Sequence, residues 1–421
     1  MRVGILTTEL IANGGAARQA LMLAQSLETL GHRASVYAME YCAENCYPEI
    51  ARSIDIRAVE RISAAEVEAR ARERHHNLLR GVRRHLVASS QLARLVDEPC
   101  DILNPHVRGA TRAAVMCKRR TGTPVVWMCE DARNWEEPGY RPYYSKPVQF
   151  VFDHAMAQAE RRVVREIDRI VTLDHRVKGI VERFYGRPAE VVRSGVDVKR
   201  FRRNVAAREQ IRERHGIASG DFLLLWLGIL EPHRRLEDAI EAIRLLHLSG
   251  ETRFRLLIAG SAAIAPGYAK ELQELAAKYG LGEAVQFHLE AVPEGEMADY
   301  YSAGDALIYL AENQCWGLGI FEALACELPV IVSRSCGAHE VLEDRRTAML
   351  VGPRSPQDVA RALIELAVMP RRGASQAREA RAEVLERFTW EAYARNLLQV
   401  FDGVLCGHGK AATQTHREAF A

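Results

Sequence analysis

The chain is organised around the stretch Asn313 to Val332, which reads NQCWGLGIFEALACELPVIV. A Gly-containing turn, Trp316-Gly317-Leu318-Gly319, feeds a short helical run, and Pro329 then introduces a β-branched strand. A Gly-rich turn that leads into a helix leaves backbone N–H groups without intrahelical partners, so it predicts a site for an anion such as a diphosphate. Glu322 lies one turn inside that helix, where its carboxylate can accept hydrogen bonds from a vicinal diol. The alternative is a loop and helix that only cover a sheet edge.

Length and composition set the frame around this stretch. A chain of 421 residues is too long for one ordinary core, so two domains are expected. Lys and Arg number 57 against 55 Asp and Glu, and this balance does not suggest a nucleic-acid binder. The nine Cys show no CxxC or Cys/His metal spacing, which predicts a reducing cytosol and no metal site. The start, MRVGILTTEL, reads as a strand rather than a signal peptide, and no apolar run reaches about 18 residues.

The first half opens as a doubly wound sheet does. Met1 to Thr7 is a buried-type strand, a loop ends in Gly14-Gly15, a helix runs to Thr29, and a second strand follows Gly31. We interpret Gly14 and Gly15 as a loop whose backbone approaches a diphosphate. The alternative is a tight turn that needs positive φ.

Polar residues follow two later strands of the first half. Asp101 to Pro105 is a strand that ends at His106, and ligands of open α/β sheets bind at the carboxyl ends of strands. A lone His is more often structural than catalytic, so both interpretations stay open. The next strand ends at Cys129, and Glu130 and Asp131 after it are polar candidates or loop caps.

Residues 61–96 form a long, basic stretch whose pattern predicts helix. They predict either a solvated helical hairpin or an amphipathic surface that meets anionic lipid headgroups or an anionic acceptor at the inner face of a membrane.

The second half begins with Phe222 to Gly228, a continuous apolar run typical of a central parallel strand. Arg234 and Arg235 end the loop that follows it and stand at the start of a helix. Cations there oppose the helix dipole, so their placement favours a bound anion, and guanidinium suits bidentate phosphate contact. The alternative is a pair of solvated arginines.

The opening stretch resembles the donor-binding segment of retaining glycosyltransferases of family 4. Their motif holds two Glu eight positions apart, with an aromatic-Gly-Leu turn between them and Glu-Ala-(Leu or Met)-Ala at the end. Glu322 with Ala323-Leu324-Ala325 matches that end. Gln314 stands where the first Glu is expected, and Glu312 lies two residues earlier, so either residue is a candidate for its role.

The resemblance implies roles for the other candidates. Trp316, Gly317, Leu318 and Gly319 would bind the donor with Glu322, and Gly14 and Gly15 would line the cleft. Arg234 would stand for the family Lys that neutralises the diphosphate, and Arg235 would replace the family Arg that is Ile229 here, although a one-residue shift in the alignment would exchange the two. Gln314 would contact sugar hydroxyls. His106 stays a catalytic candidate because of its place at a strand end. The family's donor-contacting His falls near Cys129, so that role does not carry over.

The resemblance implies an α/β protein of the GT-B fold, with two Rossmann-like doubly wound domains that face each other across a cleft. We predict an acceptor-side domain at 1–195, a nucleotide-sugar-binding domain at 196–387 and a terminal helix at 388–402 that returns to the first domain. Residues 403–421 are expected to be a mobile tail, and the polar stretch 202–220 is expected to hold the interdomain linker.

The implied reaction moves a hexose, GDP- or UDP-linked and by resemblance mannosyl-type, from its nucleoside diphosphate to an acceptor hydroxyl with retention. It would serve glycan or glycolipid biosynthesis in the cytoplasm. No Asp-x-Asp occurs, and the family needs no bound metal or other cofactor, so the expected partners are the donor and a glycan or lipid-linked acceptor. An epimerase or phosphorylase of the same fold and a non-catalytic nucleotide-sugar-binding protein are the alternatives.

Overall fold

The computed structural model describes residues 1–12, 14–72, 78–130, 146–263 and 265–418. The chain divides into two compact units. The first unit comprises Met1–Arg193 and Trp390–Ala421, and the second comprises Ser194–Thr389. The candidates Asp131 and most of the polar loop after Cys129 lie outside the described residues.

The first unit is built on parallel strands. They are β1 (Arg2–Leu10), β2 (Arg33–Tyr41), β3 (Asp55–Arg61), β4 (Ile102–Pro105), β5 (Val126–Cys129), β6 (Arg169–Thr172) and β7 (Glu190–Val191). A four-stranded sheet has the order β3-β2-β1-β4, and a three-stranded sheet has the order β5-β6-β7. Parallel bridges from Leu103 to Val125 and from His106 to Met128 align β4 beside β5. The strand order therefore reverses between β1 and β4, as in doubly wound folds.

Helices connect these strands. They are α1 (Gly15–Thr29), α2 (Pro48–Ala51), α3 (Ala64–Arg72), α4 (Leu78–Leu95), α5 (Val107–Thr121), α6 (Lys146–Val164) and α7 (His175–Tyr185). The basic stretch 61–96 thus forms the end of β3 and two helices. On α4, Leu86 and Val87 are exposed, whereas Leu92 and Ala93 are buried.

The second unit repeats the architecture with one six-stranded parallel sheet. Its strands are β8 (Phe222–Leu227), β9 (Phe254–Ala259), β10 (Val285–His288), β11 (Ala306–Tyr309), β12 (Val330–Ser333) and β13 (Met349–Val351), in the order β10-β9-β8-β11-β12-β13. The run FLLLWL of β8 is apolar throughout because helices cover both faces of a parallel sheet. The strand order reverses between β8 and β11.

The helices of the second unit are α8 (Val205–Arg214), α9 (Leu236–Leu248), α10 (Pro266–Lys278), α11 (Met297–Ala303), α12 (Leu318–Ala325), α13 (Pro356–Val368) and α14 (Pro370–Arg387). The stretch 202–220, expected to hold the linker, contains α8 inside this unit. Arg212 of α8 is buried and binds the carboxylate of Asp305 at 3.1 Å. A buried ion pair ties this polar stretch to the unit, which composition alone does not reveal.

The last helix, α15 (Trp390–Glu418), belongs to the first unit. It packs on α1, where the Gln19 amide donates to the Tyr393 hydroxyl at 3.4 Å. The helix therefore extends into 403–421, where we expected a mobile tail. In the described part of the chain, no helix has the length and apolar character that a membrane crossing requires.

Candidate donor-binding site

The loops after β8 and β11 carry most of the predicted site residues. They leave the sheet on either side of the point where the strand order reverses, which is where open α/β sheets bind ligands. Arg234 ends the short 3-10 helix Pro232–Arg234 after β8. Gln314 and Gly317 follow β11, so the topology brings together two loops that are 80 residues apart in sequence.

Arg234 is the cation that reaches the second loop. Its Nη1 donates to Gln314 Oε1 at 2.6 Å and to the Tyr309 hydroxyl at 3.2 Å. Burial raises the pKa of Tyr309 to about 12, so the phenol stays neutral. The buried Nε of Arg234 has no acceptor among the described residues. Among the described residues the guanidinium hydrogen-bonds only to neutral groups. Its buried Nε–H lacks an acceptor there, which costs about 1–3 kcal/mol until a ligand accepts it.

Gln314 is oriented by these contacts. Because the Arg234 guanidinium only donates, the Gln314 atom facing it is the carbonyl oxygen, and the His233 Nε2 lies 3.3 Å from the same oxygen. Burial, followed by the nearby Arg234 charge, lowers the pKa of His233 to about 4, so the imidazole is neutral. The Gln314 amide nitrogen accordingly points its two N–H groups away from Arg234.

The Gly-containing turn is a tight cap on α12. Gly317 has φ of 76°, in the left-handed region, and a Cβ there would lie 3.0 Å from Ile320 Cδ1 and 3.3 Å from Tyr309 Cε1. Only glycine fits both the conformation and the space. Leu318 and Gly319 open the helix, so their N–H groups belong to its unpaired first turn. Tyr309 thus links the Arg234 guanidinium to the helix N-terminus.

Glu322 and Trp316 are buried beside this turn. Glu322 is 3% exposed, and its Oε2 accepts a hydrogen bond from the Tyr301 hydroxyl at 2.9 Å. The Trp316 ring stacks on Phe321 with centroids 4.2 Å apart. Trp316 therefore packs the helix start, whereas Glu322 places a carboxylate one turn below the N-terminus.

Two predicted residues have other partners. Arg235, with φ of 57° just before α9, binds Asp238 through Nε at 3.0 Å and Nη2 at 2.9 Å and also pairs with Glu237. Its unfavourable place at the helix start is thus balanced by acids of the helix's own first turn. Glu312 binds Arg354, whose Nη2 lies 2.9 Å from Oε2, and this contact lowers the pKa of Glu312. The structure thus brings Arg234 and Gln314 together. Arg235 and Glu312 each form ion pairs with other residues.

The remaining candidates lie in the first unit. Gly14 caps α1 with φ of −127°, and a Cβ there would meet nothing within 4 Å. Positive φ therefore does not explain Gly14, and Gly15 is the first residue of the helix. His106 follows β4, is fully buried and lies 2.7 Å from Glu130 through its Nδ1.

Reasoning from the sequence missed several residues of these clusters. The side chains of Tyr309, His233 and Tyr301 contact Arg234, Gln314 and Glu322, respectively. Arg354 forms an ion pair with Glu312. Tyr309 could have been found as the last residue of an apolar strand, since strand ends at the reversal point face ligands. No sequence pattern marks Tyr301 as the partner of Glu322 or Arg354 as the partner of Glu312.

Two family models match the chain. Residues 207–383 match the family described as glycosyl transferases group 1, and residues 13–200 match glycosyltransferase family 4. Curated relatives include a D-inositol 3-phosphate glycosyltransferase of Geodermatophilus obscurus, 31% identical over 58% of this chain and 54% of its own length. Another, of Streptomyces bingchenggensis, is 28% identical over 59% and 56%. The matched part of this chain thus spans just over half the length of these relatives.

Solved structures share the fold. The structure of Anabaena HepE in complex with UDP-glucose superposes with a TM-score of 0.75 at 16% identity and covers 96% of this chain and 100% of that one. Sucrose-phosphate synthase of Thermosynechococcus elongatus gives 0.75 at 15% identity, with 96% and 99% covered. At these identities the likeness concerns the α/β GT-B architecture.

Proposed function

We propose that this chain, whose two halves match the models of glycosyltransferase family 4 and of glycosyl transferases group 1, transfers a hexose from a nucleoside diphosphate sugar to an acceptor hydroxyl with retention. The observation that carries this proposal is Arg234, a guanidinium with neutral partners and an unfilled Nε donor beside the N-terminus of α12. This is a site for a diphosphate.

The role of Arg234 follows from where charge develops. The bond between the anomeric carbon and the diphosphate oxygen breaks, and its electron pair stays on the diphosphate. The acceptor oxygen bonds to the same face of the anomeric carbon, and its proton passes to the departing diphosphate oxygen. Arg234 and the amides of Leu318 and Gly319 would stabilise the growing charge, which lowers the barrier more than it strengthens donor binding.

Two further side chains would hold the donor. Glu322, one turn inside α12, would accept hydrogen bonds from the ribose diol. The Gln314 amide, whose N–H groups point away from Arg234, would donate to a sugar hydroxyl or a phosphate oxygen. Glu312 is not assigned to the donor because Arg354 occupies its carboxylate, and Arg235 is not assigned because Asp238 and Glu237 neutralise it.

The donor and acceptor classes are proposed from the relatives. A GDP- or UDP-linked hexose fits the site, and UDP-glucose is the donor held by the HepE structure. The curated relatives are named for inositol 3-phosphate. A UDP-hexose and a phosphorylated polyol are therefore the first pair to test.

A panel of nucleoside diphosphates tests the site by thermal shift, since a ligand of the folded state raises the apparent melting temperature. We expect one of UDP and GDP to raise the melting temperature of the wild type and not of Arg234→Ala. Product formation that depends on the acceptor then separates a transferase from an epimerase or a binding protein. No shift with any nucleoside diphosphate, in a folded protein, would refute the donor site.

Residues 61–96 are proposed to touch a cytoplasmic membrane surface. Support comes from Leu86 and Val87, which are 40% and 49% exposed on α4. Sedimentation with anionic vesicles should depend on both residues, and equal sedimentation of Leu86→Ser/Val87→Ser would remove this proposal.

A further inference from the structure

A polar array lies at the carboxyl ends of β4 and β5 in the first unit. His106 follows β4 and is fully buried, and Glu130 follows β5 with a side chain that is 12% exposed. The His106 Nδ1 lies 2.7 Å from Glu130 Oε1, and its Nε2 lies 3.0 Å from Asn104 Oδ1. Both nitrogens of one buried ring are thus in hydrogen-bond contact with oxygen.

The array determines where its protons are. Asn104 Nδ2 donates to the backbone carbonyl of Val126 at 2.6 Å, so the amide cannot turn and Oδ1 must face the ring. The His106 Nε2 therefore donates to Asn104. On the other side Nδ1 and Glu130 Oε1 share one proton, since two acceptors cannot hydrogen-bond to each other. His106 and Glu130, which lie within ion-pair distance, therefore carry no net charge as a pair.

The backbone holds His106 in this place at a cost. His106 N donates to the carbonyl of Leu6 in β1 at 2.8 Å, which places the residue where the strand order reverses. The next residue, Val107, has φ of 55°. A β-branched residue is strained in the left-handed region, and such strain is concentrated at ligand sites.

Glu130 keeps one oxygen for a ligand. In the described part of the chain nothing donates to its Oε2, while His106 occupies Oε1. Tyr393 of α15 lies nearby, and burial together with the Glu130 charge raises the pKa of its hydroxyl, so it stays a neutral phenol. Because the ion pair has no net charge, it offers a strong acceptor without attracting a cation.

We infer that Glu130, positioned by His106, is a hydroxyl-binding residue of the first unit that accepts a hydrogen bond from a sugar or polyol. The inference rests on the proposed transfer reaction and adds a site that the donor residues of the second unit do not include. The hydroxyl has two sources, the transferred sugar and the acceptor. The chemistry is the same for both, so the experiment needs one arm for each.

The test variant is Glu130→Gln, which keeps the shape and removes the charge. In the first arm, the dissociation constants of UDP and of UDP-glucose are compared. In the second arm, KM is measured for myo-inositol 3-phosphate. Glu166→Gln is the matched control, because it removes an exposed ion pair with Arg119 in the same unit. In one of the two arms, the dissociation constant of UDP-glucose or the KM of the acceptor is expected to rise about tenfold or more in Glu130→Gln. This is the effect of losing one charge-assisted hydrogen bond.

The outcomes separate this inference from the proposed function. Weaker UDP-glucose binding with unchanged UDP binding assigns Glu130 to the transferred sugar, and a raised acceptor KM assigns it to the acceptor. Unchanged values in both arms overturn the inference while UDP binding persists. If the wild type binds no nucleoside diphosphate at all, the donor site is overturned instead. If Glu130→Gln does not fold, Glu130→Asp, which keeps the charge and withdraws the oxygens, should show the same loss.

A direct measurement tests the ion pair without any ligand. Ring nitrogen chemical shifts of His106, assigned by comparison with His106→Gln, should report protons on both nitrogens in the wild type and on one nitrogen in Glu130→Gln. A wild-type ring with one bare nitrogen would overturn the positioning role of His106, whatever the enzyme activity.

Discussion

The polar clusters of the two units both lie beside a reversal of strand order and differ in charge. Arg234 lies after β8 beside the strand reversal of the second unit, and His106 lies after β4 beside that of the first. The partners of Arg234 are neutral, whereas His106 is balanced by Glu130. One fold thus provides an excess positive charge in one unit, which we propose binds a phosphate, and a neutral pair in the other, which we propose binds a hydroxyl.

Removing the excess charge should have the largest effect. Arg234→Ala is expected to lower turnover roughly 100-fold or more, because a preorganised donor to the leaving group is lost. Arg235→Ala is the matched control, since Asp238 and Glu237 already neutralise that cation. Steady-state kinetics with the donor found by thermal shift measure both. Equal rates for the wild type and Arg234→Ala would end the contrast between the two units.

Removing the Glu322 carboxylate of the second unit should weaken nucleotide binding as well as lower the rate of transfer. Glu322→Ala is expected to raise the dissociation constant of the nucleoside diphosphate about 10–100-fold, the range of a hydrogen bond to a charged group. Calorimetric titration measures it. Glu327→Gln, which removes a carboxylate paired with Arg381 at the far end of α12, should bind as the wild type does. If both variants bind equally well, the ribose role is wrong.

The Gly317 turn should show itself in stability. Gly317→Ala must adopt φ of 76° with its Cβ 3.0 Å from Ile320 Cδ1, so a loss of about 1–2 kcal/mol in the free energy of unfolding is expected. Urea unfolding measures it. Gly282→Ala, where a Cβ meets nothing within 4 Å, should unfold near the wild-type midpoint. A wild-type midpoint for Gly317→Ala would mean that the turn is not constrained.

Making the second unit resemble the first should have a smaller effect. Gln314→Glu places a carboxylate against Arg234 and creates a balanced ion pair like that of His106 and Glu130. We expect the affinity for a nucleoside diphosphate to fall a few-fold, because a partly exposed ion pair contributes little free energy. Gln314→Met, similar in size and uncharged, is the control. Tighter binding by Gln314→Glu would show that excess positive charge is not what the site uses.

Chelation should have no effect. Because the Arg234 guanidinium and the α12 amides are proposed to supply the positive charge, activity is expected to be the same with and without EDTA. Rate measurements in matched buffers test this expectation. Loss of activity that Mg²⁺ or Mn²⁺ restores would assign part of the charge to a metal ion.

The repeated α/β pattern was predictable from the sequence, and the same sequence indicated the residues that we propose as the core of the donor site. Apolar strands such as 222–227, followed by Gly loops and helices, specify doubly wound units because a buried parallel strand must be apolar on both faces. The turn at Gly317 and the carboxylate at Glu322 were also readable, since the residues of a helix start lie a few positions apart. Composition suggested a linker at 202–220, but the buried ion pair of Arg212 with Asp305 makes it part of the second unit.

Only the tertiary structure decided which side chains meet. It paired Arg234 rather than Arg235 with the loop after β11, and Gln314 rather than Glu312 with Arg234, because strand order brings together segments 80 residues apart. It also placed His106 and Glu130 in hydrogen-bond contact at the ends of two neighbouring strands. The pair as a whole carries no net charge. Local patterns specify helices and strands, whereas the charge of a site depends on partners that only the packed sheet selects.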